Sequence, residues 1–542
     1  MNLKTHLSEA LAEVLSALDL PEKPITLEHP KNPEFGDFSC NVALLLAKEV
    51  KENPVQLAQT INDKLRLNAD WVSHTNVTPP GFVNFFISTK YYQSFLSDIL
   101  EQKNSLGKSS IGVGKSANVE FVSANPTGPL TVGHGRQAVL GDTISKILEW
   151  HGFKVTREYY YNDAGRQMRM LSDSVSARYF QEINPSTEFP EDGYQGEYIR
   201  DIAKNILQTH GKNLDAEDPI FREEAEESIF QHIKETLLSL EIQHDSFVNE
   251  KSFYDSGAIE KILKDLKEKD LIYEKDGATW FKATAIGKAQ DRVYIKNTGE
   301  PTYRLPDTAY HRNKFERNYN LIIDIFGADH VDTFPDVLAA LETLNYNTER
   351  VRVCIHQFVT LVKGGEKIKM STRKAEYVTL QELIDQLDKD VVRYFFIMRS
   401  MNSHLNFDMD LAKDQSEKNP VFYLQYAHAR ICNTIRYAEK SGVSFTENFN
   451  PSLLEHPSEL DLIKTLHNFS EVMENVLDSL EPQNISTYLQ TLATKYHKFY
   501  ADCRVVTEDK SLTNSRLKLI SAVKLVLSNG LGILGISAPE RM

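Results

Sequence analysis

Ser123-Ala-Asn-Pro-Thr-Gly-Pro-Leu-Thr-Val-Gly-His134 follows the short apolar run Val119-Glu-Phe-Val122 and precedes a segment with Val139, Leu140, Ile144, Ile147 and Leu148 at helical spacing. The order is strand, glycine-rich turn, helix. Such a turn aims backbone N–H groups and a helix N-terminus at an anion, which is what nucleotide phosphates require. Within it Asn125 and Thr127 offer short polar groups, Pro126 and Pro129 stiffen the turn, and Gly128 and Gly133 let a ligand approach the backbone. His134, at the mouth of the helix, is placed to donate to a phosphate or ribose. An isolated Gly-His pair is more often a histidine capping its own helix.

A second segment, Gly364-Gly-Glu-Lys-Ile-Lys-Met-Ser-Thr-Arg373, follows a strand and carries Lys367, Lys369, Arg373 and Lys374 on a glycine loop. Cations so carried can close over a triphosphate and stabilise nucleotidyl transfer. A Lys/Arg run alone reads as a solvated basic loop; Met370-Ser371 between the cations sets this one apart.

Outward from these segments, residues from about 115 to 410 interleave strand candidates with helical stretches, the pattern of an open α/β sheet. Leu321-Ile-Ile-Asp-Ile-Phe326 and the run from Val351 to Val362 are its clearest later strands. The charged, helix-prone stretch from about 165 to 275 reads as an insertion beside that fold. Residues 1–107 read as a small α+β domain. Its first helix is amphipathic through Leu3, Leu7, Leu11, Val14, Leu15 and Leu18, a second runs from about 41 to 51, and Gly81-Phe-Val-Asn-Phe-Phe-Ile87 alternates like a strand. The expected division is 1–107, 108–414 and an all-helical 415–542.

In the 542 residues no apolar run reaches the roughly 18 of a membrane span, and the start lacks a basic region followed by a hydrophobic block. A cytoplasmic location is the default expectation, with no membrane partner. Cys40, Cys354, Cys432 and Cys503 are scattered without a Cys-x-x-Cys pair, which argues against a disulfide framework and a structural zinc site and predicts reduced core thiols. The net charge of −15 argues against a protein that coats nucleic acid and leaves room for a basic groove.

The two segments resemble the signature sequences of class I aminoacyl-tRNA synthetases, and their surroundings are similar to those of the arginyl-tRNA synthetase family. The resemblance spans the chain: Tyr159-Tyr-Tyr-Asn-Asp-Ala-Gly-Arg-Gln167, Tyr194-Gln-Gly-Glu-Tyr198, Pro301-Thr-Tyr-Arg-Leu-Pro-Asp-Thr-Ala-Tyr-His311, Phe326-Gly-Ala-Asp-His330, Asn419-Pro-Val-Phe-Tyr-Leu-Gln-Tyr-Ala-His-Ala-Arg430 and Gly535-Ile-Ser-Ala-Pro-Glu-Arg-Met542. It implies a multidomain α/β protein with a Rossmann-type parallel-sheet catalytic domain, an N-terminal domain on the tRNA elbow and a helical domain on the anticodon. The implied enzyme is a ligase that activates L-arginine with ATP and transfers it to tRNA(Arg). Magnesium accompanies the ATP, no metal is bound by the protein itself, tRNA is needed for the first step, and the chain works as a monomer.

By the same resemblance His134, Lys369 and Arg373 are catalytic. Pro126, Thr127, Gly128, Thr131, Gly133, His134, His330, Lys369, Met370 and Ser371 bind ATP. Glu120, Ser123, Asn125, Tyr303, Asp307 and Asp329 bind arginine, whose planar, permanently charged guanidinium calls for carboxylates with aromatic or hydroxyl support. Taken singly, Glu120 or Asp307 is an ordinary surface or capping acid. Two departures from the class pattern stand out: Thr131 replaces the first histidine of the first signature, and Thr372 the second lysine of the second. Phe35, Asp37 and Asn41 match the family's N-terminal pattern, while Phe422, Tyr423, Tyr426, His428, Arg430 and Arg436 put aromatic and basic groups on the last helices. Two other readings stay open here: a class I enzyme for cysteine or glutamate, and a silent RNA-binding paralogue.

Overall fold

The computed structural model describes residues 3–163, 165–328, 331–368, 378–442 and 449–542. Its centre is a five-stranded sheet of β1 (Ser116–Glu120), β2 (Lys154–Tyr161), β3 (Ser246–Asn249), β4 (Leu321–Gly327) and β5 (Val351–His356). Every pairing is parallel, in the order β3-β2-β1-β4-β5. The winding therefore reverses between β1 and β4, and the crevice beyond their carboxyl ends is where such a sheet takes its ligand.

Helix α1 (Val132–Trp150) carries the chain from the turn after β1 back to β2. Val139, Leu140, Ile144, Ile147 and Leu148 are buried, as their spacing predicts. The buried Arg136 guanidinium donates to the carbonyls of Gln357 at 2.7 Å, Ser400 at 2.9 Å and Ser403 at 3.1 Å, which fixes the start of α1 against the chain beyond β5.

The stretch from 165 to 275 is divided. Helices α2 (Gly165–Ile183), α3 (Glu197–His210) and α4 (Ile220–Ser239) form a packed unit between β2 and β3, and β3 itself joins the parallel sheet as its edge. An antiparallel sheet of Ile272–Lys275, Ala278–Phe281 and Arg292–Ile295 follows, then helix α5 (Arg304–Glu316) leads into β4. A four-residue strand is too short to show alternation, so β3 leaves no periodic trace in the sequence. The run from Val351 to Val362, expected as one strand, is two. β5 ends at His356, and Val359–Lys363 pairs in parallel with Leu405–Asp408 in a different sheet.

The N-terminal part is a four-stranded antiparallel sheet, ordered Leu27–Glu28, Phe38–Cys40, Phe82–Ile87, Val72–Thr78. Helix Leu3–Ala17 buries Leu3, Leu7, Leu11, Val14 and Leu15. This part docks on the C-terminal helices through Glu471, which takes Lys4 at 2.6 Å and His29 at 3.1 Å, and through Lys464 on Asp37 at 2.8 Å. All four cysteines are buried and free.

Beyond the sheets come helices α6 (Lys389–Ile397), α7 (Pro420–Lys440) and α8 (Lys510–Leu534). By length and composition α8 could cross a membrane, yet Leu517, Leu519, Ile520, Val523, Val526 and Leu527 are buried in protein. Its end is a Schellman motif: Ile536 N–H reaches the Leu531 carbonyl at 2.9 Å and Gly535 N–H the Gly532 carbonyl at 3.0 Å, with Gly535 at φ +69°. A β-carbon on Gly535 would stand 2.3 Å from the Arg393 guanidinium. Arg393, on α6 and without solvent access, donates to the Leu534 carbonyl at 3.0 Å, the Leu240 carbonyl at 2.8 Å and Asp142 of α1 at 2.6 Å.

One guanidinium thus joins α1, the turn after α4, α6 and the end of α8. Replacing Arg393 by Ala leaves two buried carbonyls and part of Asp142 without a donor. It should lower stability by about 3 kcal/mol in urea unfolding; a change within about 0.5 kcal/mol would contradict the account.

Candidate active site

Asp324 on β4, Glu120 on β1 and Glu158 on β2 are neighbours in register across three parallel strands, all buried. Carboxylates so placed are tolerated only when each is paired. Their partners come from one helix. His311 Nε2 lies 3.1 Å from Asp324 Oδ2, and Lys314 Nζ lies 2.5 Å from both Asp324 Oδ1 and Glu120 Oε2. Just past the helix end, Arg317 grips both oxygens of Glu158, and the Tyr310 hydroxyl donates to Glu158 at 2.8 Å. Positions 310, 311, 314 and 317 share a helix face by their spacing. Burial works against the charges of Asp324, Glu158, Lys314, His311 and Arg317, and their partners outweigh it. Lys314 and His311 hold Asp324 well below the carboxylate range, Arg317 and Lys314 lower Glu158, and the acids raise Lys314 and His311.

Among the described residues Glu120, His311 and Asp324 are the one trio close enough to share a metal ion. The Lys314 ammonium already sits against both of its carboxylates.

Asp307 lies one turn before His311 on the same helix, and its backbone carbonyl lies 2.8 Å from His311 Nδ1. Its carboxyl makes no hydrogen bond or ion pair among the described residues. Burial, opposed by His311 and reinforced by the charges of Glu250 and Glu120, pushes its pKa up to about 7. Glu250, just after β3, accepts the Tyr160 hydroxyl at 3.0 Å and the Asn162 amide at 2.8 Å, and burial raises its carboxyl as well. The Tyr160 ring stacks on Tyr310 with centroids 4.1 Å apart. His311, Lys314 and Arg317 are thus spent on the three acids beneath them, while Asp307 has no ion pair among the described residues and feels the charges of Glu250 and Glu120. A planar cation with several donors fits that demand. Tyr303, one turn before Asp307, is 74% exposed and lies at the rim.

The signature turn begins with backbone strain. Val122 (φ +71°) and Ser123 (φ +43°) are successive left-handed residues, each costing about 1–3 kcal/mol. Ser123 Oγ holds them by donating to Glu120 Oε1 at 2.9 Å and accepting the Tyr160 N–H at 3.1 Å. Asn125 accepts the Asn162 N–H at 2.9 Å and donates to Gln167 at 2.8 Å. The Tyr159 hydroxyl donates to the Ala124 carbonyl at 2.8 Å. Pro126 is buried, whereas Thr127, Gly128, Thr131 and Gly133 are partly exposed on the path into α1.

Thr131 is the N-cap of α1, and His134 closes a capping box by accepting the Thr131 N–H on Nδ1 at 3.1 Å. His134 therefore does cap its helix, and with Nδ1 as acceptor a neutral ring carries its proton on Nε2.

Leu380 N–H donates to the Leu130 carbonyl at 2.8 Å and Thr379 bridges to Thr131, so the chain leaving the second signature is strapped to the first. Asp329, His330, Lys369, Met370, Ser371, Thr372, Arg373 and Lys374 lie outside the described residues. Lys367 is exposed on the short strand Glu366–Lys367.

The sequence reading missed Glu250, His311, Lys314, Arg317, Glu158 and Asp324 as site-building residues. The signal available was the pair of motifs Tyr159-Tyr-Tyr-Asn162 and Pro301 to His311, whose partners lie far away in the chain. Elsewhere, His428 and Arg436 hold the carbonyls of Pro539 and Glu540. Arg430 stands 4.4 Å from the Tyr500 ring, and Tyr423 and Tyr426 pack on His497. Asp37 is occupied by Lys464 and the Ile87 N–H, while Phe35 is exposed.

Three family models match the chain: "Arginyl tRNA synthetase N terminal domain" over residues 1–87, "tRNA synthetases class I (R), catalytic domain" over 95–404, and "DALR anticodon binding domain" over 424–542. The arginine–tRNA ligase of Salinibacter ruber is 48% identical over 562 residues, covering 100% of both chains. That of Chlorobaculum tepidum is 48% identical over 532 residues, covering 96% of each. The solved arginyl-tRNA synthetase of Thermus thermophilus covers 100% of both chains with a TM-score of 0.78; at 22% identity it speaks for the fold alone.

Asp307 makes stability depend on pH in a direction the site fixes. Its pKa in the folded protein is about 7 against an ordinary 3.8, so the folded state favours the protonated form, and that contribution is lost as pH rises from about 4 to about 7. In Asp307→Asn, thermal melting at several pH values should show a stability advantage over the parent that widens across this window and is level above it. An advantage independent of pH would contradict the assignment.

Proposed function

The chain belongs to the arginyl-tRNA synthetases and charges tRNA with arginine, and from that membership we propose how its residues divide the work. The observation that carries the proposal is Asp307, a half-buried carboxyl with no ion pair among the described residues, beside an acid row whose cations are engaged. It takes the guanidinium of arginine, with Glu250 opposite and Glu120 contributing through lone pairs that Lys314 and Ser123 leave over. Tyr303 covers the guanidinium from the rim. Asn125, Ser123 and Asp329 hold the α-amino and carboxylate end.

ATP lies along the signature turn, with Pro126, Thr127, Gly128, Thr131, Gly133 and His134 on one side and His330, Lys369, Met370 and Ser371 on the other. The arginine carboxylate attacks the α-phosphate, the bond to the bridging oxygen breaks, and pyrophosphate leaves arginyl-adenylate. A ribose 2′-hydroxyl at the tRNA 3′ end then attacks the arginyl carbonyl and AMP departs. No general base is required of the protein in the first step. Positioning, together with neutralisation of the phosphates by Lys369 and Arg373, lowers the barrier. Magnesium enters as part of the ATP substrate, and the protein holds no metal of its own. Residues 1–107 meet the tRNA elbow and 415–542 the anticodon. The enzyme works as a monomer in the cytoplasm, and its first step waits for tRNA.

Exchange of labelled pyrophosphate into ATP should require arginine and cognate tRNA together; exchange driven by another amino acid would overturn the specificity. Asp307→Asn should raise KM for arginine roughly a hundredfold, the loss expected for a desolvated charge pair of about 3 kcal/mol. Because the guanidinium needs the ionised acid, KM for arginine should fall as pH rises from 6 to 8 in the parent and stay flat in the variant. Lys369→Ala should lower kcat of exchange and leave KM for arginine nearly unchanged.

A further inference from the structure

The motif Tyr194-Gln-Gly-Glu-Tyr198 has no part in the scheme above, and the structure gives it one. Tyr198 is the second residue of α3, in the helical unit between β2 and β3. Its hydroxyl donates to the Thr127 carbonyl at 2.7 Å, in the middle of the signature turn. Gly196, the N-cap of α3, supplies the room: a β-carbon there would stand 2.3 Å from the Tyr198 ring. α3 is itself fixed by Ile199, Ala203 and Ile206, buried against α2 and α4, and the Tyr194 N–H is held by Ser174 Oγ of α2 at 2.9 Å.

The ends of the turn are held from other directions, Ala124 by Tyr159 and Leu130 by Leu380, so the centre is reached by Tyr198. Thr127 C=O and Gly128 N–H belong to one planar trans peptide and point in opposite directions. A hydroxyl that fixes the carbonyl therefore fixes the direction of the Gly128 N–H. Gly128 is matched to the contact, because a β-carbon on it would lie 2.9 Å from the Tyr198 oxygen.

We propose that Tyr198 is a positioning residue for adenylate formation: it locks the Thr127–Gly128 peptide plane so that the Gly128 N–H is presented to the ATP phosphates, and thereby ties the nucleotidyl-transfer step to the seating of the α2–α4 unit. The inference rests on the reading that this turn holds ATP. The locked donor acts on the charge that builds during transfer, so the hydroxyl contributes to turnover more than to arginine binding.

The test is arginine-dependent pyrophosphate exchange with tRNA present, in the parent, Tyr198→Phe, Gly128→Ala and the double variant. Exchange by the parent tests the ATP reading by itself, and its absence removes that reading and this one with it. Given an active parent, Tyr198→Phe keeps the ring and should lower kcat about five- to tenfold, with KM for arginine and the melting temperature unchanged. Gly128→Ala should also lower kcat, and by at least threefold less when Phe has already removed the oxygen it crowds. Unchanged kcat in Tyr198→Phe, an equal loss in kcat and arginine affinity, or strictly multiplicative effects in the double variant would each overturn the proposal.

Discussion

Lys314 lies 2.5 Å from Glu120 and from Asp324 and has no access to water. The two acids are register partners on β1 and β4, the strands between which the sheet reverses its winding. Without an ammonium there, two adjacent buried carboxylates would repel each other at the mouth of the ligand crevice, and one would take up a proton. With it, and with His311 and Arg317 from the same face of the chain, α5 is pinned across three strands. Its N-terminal end is positioned with it, Tyr303 at the N-cap and Asp307 one turn on. The position of Asp307 is a consequence of where His311, Lys314 and Arg317 are anchored.

The same anchoring reaches the signature turn through Ser123. Glu120 spends one oxygen on Lys314 and the other on the Ser123 hydroxyl, which holds a backbone that bends through two left-handed residues. Strain of that kind persists only where the surroundings over-determine it. Here Tyr160 N–H, Asn162 N–H, Tyr159 and Tyr198 all meet the turn. An ion-paired core and the signature turn are therefore one mechanical unit.

The strand, turn and helix around Ser123 to His134 were legible because local spacing and turn chemistry carry them, and the buried face of α1 follows from the same periodicity. β3 was not legible, since four residues at a sheet edge show no alternation, and the two strands after Val351 read as one because both are apolar and only two residues separate them. Asp307 could be singled out by resemblance, but its lack of an ion pair among the described residues could not, because that depends on Lys314 and Arg317 being occupied by acids from more than 150 residues away. Glu250 had no local pattern at all; its place depends on β3 being in the sheet. Val122 and Ser123 give no hint of positive φ, as neither residue type prefers it. What the sequence withheld is long-range charge pairing, and the second signature's placement lies outside the described residues.

Arg393 has an implication for how the chain is made. Its guanidinium is completed by Asp142, which precedes it, by the Leu240 carbonyl, and by the Leu534 carbonyl, which is synthesised 141 residues later. Domains of a nascent chain fold as units in the order they emerge. The nucleotide-binding fold here would emerge with a buried cation one acceptor short, and it becomes fully saturated only when the end of α8 docks. The last acceptor of this buried cation is thus supplied by the distal helix, and a chain that stops before Leu534 lacks it.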